Sequence, residues 1–338
     1  MTSPRHEPTL SLLDLVPIVQ GGTAAGALRG SLELAQRAEA WGYHRFWVAE
    51  HHGMPGVASA ATAVVIGYLA GATSRIRVGS GGIMLPNHAP LVIAEQFGTL
   101  ESLHPGRIDL GLGRAPGSDV VTMQAIRGPQ GRTGDTFPRD VQELLGYLRA
   151  GTSGQRVHAV PGEGLEVPVY LLGSSIFSAQ LAARLGLPFA FAAHFAPDAL
   201  YDAIELYRDG YHPSEAWPRP HVIVAVNVVA ADTEAAARRL FTSLQQQFLN
   251  LLRGEPRQLP PPVESMHDLW SPAEAAHVGH MTRHAVVGTP GAVREGVRAL
   301  VRRTGADEIM ATAHIFDQKA RLRSFELLGQ ALAVGGAE

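Results

Sequence analysis

The stretch at positions 45–56, RFWVAEHHGMPG, sets an acid and two imidazoles side by side, Glu50, His51 and His52, where a run of buried-type residues ends. An imidazole beside a carboxylate can take up or release a proton near neutral pH. The same residue types ligate metals, but neighbours on an extended segment point to opposite faces, so two adjacent histidines converge on one ion only if a loop turns them. The chain has no cysteine, which removes thiol nucleophiles, thiolate metal sites and disulfides. No metal is expected. One of the two histidines is expected to face a pocket and the other to be held by local hydrogen bonds.

Other apolar runs end on equally unusual residues. Asp14 follows LSLL; VGSGGIMLPNHAP carries Gly79, Gly81 and Gly82; LGLGRAPGSD delivers Arg114; and VYLLGSSIFSAQ passes from Gly173 to Ser174, Ser175 and Ser178. Glycines inside a strand cost packing and backbone entropy, so a cluster of them means that something approaches the backbone closely, either a flat ring or the chain's own tapering interior. The serines open a helix, whose unpaired N–H groups and positive end suit a phosphate, and Arg114 can add a bidentate fork. Taken alone, Ser174 reads first as an N-cap; its coincidence with Arg114 turns the reading toward phosphate. His194, in FAAHFAP, lines the pocket or caps the following turn.

The elements that must position these residues alternate short β-rich runs with longer amphipathic ones. Strands are expected at 10–15, 45–49, 76–85, 107–112, 167–172, 189–193, 222–229 and 308–315, with helices between them and Ser59 capping the one at 59–72. Eight such alternations predict an α/β fold, a closed (β/α)₈ TIM barrel forming one domain over 1–338, with irregular insertions near 115–135 and 254–282 in loops at the C-terminal ends of the strands. Active sites of such barrels lie at that end, where Glu50, His51 and His52 stand. With 46% hydrophobic and 17% charged residues and a net charge near −3, the chain has no broad positive field for nucleic acid or anionic membrane. The N-terminus lacks a signal-type apolar segment, so the cytoplasm is expected.

Taken in order, GYHRFWVAEHH, VGSGGIMLPNHAP, PGRIDLGLGRAPGSD, PVYLLGSSIFSAQLAARLGLPFAFAAHF and HAVVGTPGAVREGV resemble the motif blocks of the bacterial luciferase-like flavin monooxygenase superfamily, in its compact single-chain branch. The resemblance implies an FMN-dependent monooxygenase that takes reduced flavin from a separate reductase and uses O₂, through a flavin C4a-peroxide, to oxidise a small apolar substrate. His51 is then the acid or base beside the flavin, with Glu50 or the backbone orienting its ring. Arg114, Ser174, Ser175 and Ser178 surround the phosphate, and Gly81–Gly82 falls where the family often has a non-prolyl cis peptide under the ring. Asp14, His52 and His194 are candidates for the substrate pocket, and a homodimer through the helices after the second and third strands is implied. The same barrel also carries deazaflavin F420-dependent hydride transfer, or a flavin-binding protein without turnover. Three positions depart from luciferase: Ser174 replaces an acid, Gly113 a reactive cysteine and Ala193 a tryptophan. The long mobile lid of luciferase has only a poor match in 252–282, so neither light emission nor a long-chain aldehyde is implied.

Overall fold

Side chains along a strand alternate between faces, and in this chain the two faces bury against different partners. The computed structural model describes residues 8–115, 117–127 and 134–332. In β1 (Thr9–Asp14), Leu10 and Leu12 pack outward into the large core shared with the helices, while Leu13 joins an inner cluster with Trp47, Ala49, Tyr170, Ala190, Ile223, Ala225 and Met310. The inner cluster draws on β2 (Arg45–Val48), β5 (Val169–Gly173), β6 (Phe189–Ala192), β7 (Val222–Ala230) and β9 (Glu308–Thr312). With β3 (Arg77–Met84) and β4 (Ile108–Gly113) these strands close in the order β1-β2-β3-β4-β5-β6-β7-β9, every pairing parallel. The fold is the expected eight-stranded barrel.

Helices cover the outside. They include α1 (Ala24–Ala40), α2 (Thr62–Gly71), α3 (Pro90–Leu103), α4 (Val120–Arg127), α5 (Phe137–Leu148), α6 (Ile176–Leu185) and α7 (Leu200–Asp209). After β7 come α8 (Glu234–Leu252), α9 (Pro272–Met281), the short strand β8 (Val286–Gly288), α10 (Pro290–Thr304) and, after β9, α11 (Gln318–Ala331). No helix among the described residues is long and apolar enough to cross a membrane.

Three local expectations are corrected. Ser59 does not cap α2, whose N-cap is Ala61; its hydroxyl donates instead to the Ala49 carbonyl at 2.5 Å, tying the β2 exit to the following loop. The stretch near 115–135 contains α4, a helix with no buried residue. The insertion near 254–282 contains α9, closed by a Ser271–Glu274 capping box, and β8 then adds to the upper end of β7 outside the barrel. The proline-rich part of that insertion is stitched to the β1 exit, where Gln20 N–H donates to the Leu259 carbonyl and Leu259 N–H to that of Ile18.

The N-terminal end of the barrel is closed by charge. Asp109 accepts from Arg45 (2.7 Å), Trp47 Nε1 (3.0 Å) and Arg77 (2.6 and 2.9 Å), while Arg45 Nε reaches Glu308 at 2.9 Å and its Nη1 donates to the Tyr170 hydroxyl at 2.7 Å. Trp217 stacks edge-on against Tyr170 beneath this network, with ring centroids 5.7 Å apart.

Candidate active site

β2 runs inward at Arg45, Trp47 and Ala49, and the same alternation carries His51 into the barrel mouth and Glu50 away from it. Glu50 is fully buried and receives His52 Nε2 at 2.7 Å, His88 Nε2 at 2.9 Å, Asn87 Nδ2 at 3.1 Å and the Met84 N–H at 2.9 Å. Burial pushes its pKa up, but the bonds from His88, His52 and Met84 outweigh this and hold the carboxyl below its ordinary range. Glu50 therefore anchors the loop as a carboxylate and does not face the mouth; of the two groups expected to orient the His51 ring, it is the backbone that bonds it. His52, expected in the substrate pocket, is the histidine held locally, by Glu50.

His51 is oriented by the backbone. Its Nδ1 lies 3.3 Å from the carbonyl of Gly117, which also accepts the His52 N–H at 3.1 Å. A carbonyl only accepts, so Nδ1 carries the proton and the neutral ring keeps a lone pair on Nε2. Burial is the main cause that lowers the His51 pKa, against the Gly117 carbonyl and Glu50, which raise it. Gly117 has φ +65°, and a Cβ there would sit 2.9 Å from the Glu50 carbonyl oxygen. Both the backbone conformation and the close approach require glycine.

Across the mouth the walls differ. β3 and β4 present Gly79, Gly81, Gly111 and Gly113, and the Gly81–Gly82 peptide is cis, with the β3–β4 register shifting between Ser80 and Ile83. A Cβ at Gly81 would meet Leu13 at 2.8 Å and Trp47 at 3.1 Å, and one at Gly82 would meet the Gly111 carbonyl at 2.7 Å. The glycines thus first let two strands and the inner core approach, and they leave this wall without projecting side chains. In an eight-membered ring each strand faces the fourth one along, so β3 and β4 look across at β7 and β9, and β2 at β6. The facing wall carries His194, Asn227, Thr312 and His314. Burial pushes the pKa of His194 down to about 3 and that of His314 to about 4, and both feel the charge of His51.

Arg114, at the β4 exit, stacks its guanidinium on Phe177 in the first turn of α6, 4.3 Å from the ring centroid. This brings the cation to the helix end that carries Ser174 and Ser175, both half-buried, and the buried Ser178. Ser175, not Ser174, occupies the N-cap, and its side chain makes no capping bond. Gly173 is required by packing, because a Cβ there would overlap Ser178. Asp14 does not line the mouth: it shares the outward phase of Leu10 and Leu12, accepts from the Val16 N–H at 2.8 Å and pairs with Arg321 of α11 at 2.5 Å.

The structure therefore brings His51 and His194 to one mouth beside the glycine wall, sets Arg114 against the serine-rich start of α6, and takes Asp14, Glu50 and His52 out of the pocket. Sequence reading missed Gly117, Asn227 and His314. Stepping by two from the inward residues Ala225 and Met310 would have found Asn227 and His314. Gly117 carries no such signal.

Residues 11–308 match the family model for luciferase-like monooxygenases. A luciferase-like monooxygenase of Escherichia coli (strain K12) is 56% identical, over 94% of this chain and 95% of that protein. A crystal structure of apo-MsnO8 superposes with a TM-score of 0.90 at 37% identity, covering 97% of this chain and 99% of that one. The fold alone is shared with two more distant structures. The oxygenating constituent of 3,6-diketocamphane monooxygenase from Pseudomonas putida, in complex with FMN, has a TM-score of 0.74 at 18% identity, covering 98% of this chain and 99% of that one. An F420-dependent secondary alcohol dehydrogenase has 0.69 at 14%, covering 97% and 99%.

Proposed function

The chain belongs to the luciferase-like monooxygenase family, and from that premise we propose that it is an FMN-dependent monooxygenase that oxygenates a small organic molecule with O₂ and reduced flavin from a separate reductase. The observation that carries this reading is the seating of Arg114 on the first turn of α6. A cation and a helix N-terminus converge there as a phosphate requires.

The residues present fit the group. Arg114, Ser174, Ser175 and the α6 N–H groups would hold the phosphate, and the wall of Gly81, Gly82 and Gly113 would take the face of a flat ring. When bound, reduced flavin supplies the electrons that activate O₂. The chain's own part is to position and to move protons. His51, neutral and with Nε2 bare, accepts a proton at that nitrogen, and the Gly117 carbonyl steadies the imidazolium through Nδ1–H. Glu50, Asn87 and His88 hold the loop that carries it. The inner cluster of Leu13, Trp47 and Met310 keeps the floor of the mouth dry.

Arg114→Ala is expected to weaken FMN by one to two orders of magnitude, about 1.5–3 kcal/mol for a hydrogen bond to a charged group, and to leave riboflavin nearly unaffected. Fluorescence titration of both flavins measures this, and equal losses would remove the phosphate assignment. The same titration with F420 tests the hydride-transfer reading, in which that chromophore is retained in preference to FMN.

The homodimer is proposed at α2 and α3, where Val64 (73% exposed), Tyr68 (43%) and Val92 (43%) leave an apolar face open. Val64→Glu combined with Tyr68→Glu is expected to yield monomers in sedimentation velocity. A wild-type chain that sediments as a monomer rejects the interface.

A further inference from the structure

The wall opposite the glycines holds polar atoms that nothing in the chain satisfies. His194 Nδ1, Asn227 Oδ1 and His314 Nδ1 are buried and have no hydrogen-bond partner among the described residues. They stand on adjacent strands: β6 pairs Ala192 with Ala225 of β7, and β7 pairs Asn227 with Thr312 of β9. His314 lies two residues beyond Thr312, and His194 two beyond Ala192 in the turn that ends β6, near enough to His51 and His314 to feel both. Buried polar atoms are nearly always paired, so three orphans gathered on one wall call for a partner that the chain does not supply.

Their bonds say what kind. Asn227 Nδ2 donates to the His194 carbonyl at 2.6 Å, which leaves Oδ1, an acceptor, without a partner. Asn227 Oδ1, an amide oxygen, can only accept, and each histidine Nδ1 accepts in the tautomer that carries its proton on Nε2. A buried acceptor without a partner calls for a donor. A ketone, ester or carboxylate brings none. A cation would meet no unpaired carboxylate among the described residues here, since Glu50 is bound by His52 and His88, Asp14 by Arg321, and Asp109 and Glu308 by Arg45 at the far end of the barrel, and burying an unpaired charge is costly.

We propose that His194, Asn227 and His314 form a polar anchor that selects substrates carrying a neutral O–H or N–H donor, an alcohol or a carboxamide, at the end seated against β6, β7 and β9. This rests on the monooxygenase reading and names the substrate class for that site, where an apolar molecule had been expected.

The test uses the full-length protein and a matched set of probes, 1-hexanol, hexanamide, 2-hexanone, hexylamine and hexanoate, titrated calorimetrically. The alcohol and the amide are expected to bind about ten- to a hundredfold tighter than the other three, the range for satisfying a buried acceptor. Asn227→Leu is expected to erase that preference while leaving 2-hexanone unchanged. Nitrogen NMR of the wild-type histidines gives a readout that needs no variant: the His194 Nδ1 resonance should move toward the hydrogen-bonded position with 1-hexanol and stay put with 2-hexanone. Equal affinities across the set, or an unmoved His194 signal, overturn the anchor and leave the three atoms to buried water. FMN titration separates the two levels. If FMN fails to bind the wild type, the monooxygenase reading falls whatever the probes do; if FMN binds and the preference is absent, only the anchor falls.

Discussion

Replacing His51 by alanine is expected to slow substrate-dependent oxygen uptake by roughly 10²–10⁴-fold, the usual worth of a positioned general acid or base, while FMN affinity stays nearly intact. The ring is held through Nδ1 by the Gly117 carbonyl, so Nε2 is the nitrogen left to take up a proton. Among the described residues no hydrogen bond links it to Arg114, Ser174, Ser175 or Ser178, the residues proposed for the phosphate. The rate should also fall on acidification as His51 takes up a proton, and because burial lowers its pKa that limb should lie below the ordinary imidazole range. Oxygen consumption with a flavin reductase supplying reduced FMN gives the rate, and flavin fluorescence gives the affinity. A His51→Ala variant that turns over at the wild-type rate would exclude His51 as the proton carrier, and one that loses FMN would make the residue part of the binding site instead.

The second large effect is on stability. Asp109→Ala is expected to cost about 3–5 kcal/mol, the range for removing one partner from a buried ion pair. Asp109 is fully buried and holds both Arg45 and Arg77. Its loss leaves Arg45 with Glu308 as its remaining carboxylate and Arg77 with backbone carbonyls, and it strips Trp47 Nε1 of its acceptor. Glu308 adds a pH dependence. Burial raises its pKa, but Arg45 and His221 lower it further, so the net folded value is depressed. A depressed carboxyl stabilises the fold above its unfolded pKa, and that contribution fades as pH falls through the folded value. The contribution of Glu308 to stability should therefore shrink as pH falls from the ordinary carboxylate range toward the depressed folded value. Urea midpoints for wild type, Asp109→Ala and Asp109→Asn measure the effect, and a loss under about 1 kcal/mol for the alanine variant would mean that the network is not integral to the barrel.

All eight barrel strands were legible because each is a short apolar run followed by an amphipathic one, and α6 has the bounds its sequence pattern suggests. What escaped is long-range. Arg45 meets Glu308 across 263 positions and Asp109 across 64, and no local pattern reports such a partner. Asp14 looked like a pocket residue since it ends a strand; its phase, shared with Leu10 and Leu12, sends it outward to Arg321. The reverse holds for His51, whose phase is that of Trp47 and Ala49. α4 was missed because it is only about two turns long and buries no residue, so no core contact marks it. Gly117 looked like any turn glycine, and its carbonyl, the atom that matters, has no signature in sequence.

The plug of Arg45, Asp109, Glu308 and Tyr170 over Trp217 makes the barrel a blind well. Whatever enters through the mouth must leave by the same route, so of two guests the deeper one arrives first and departs last. Order of addition is thus imposed by the shape of the vessel before any affinity is considered.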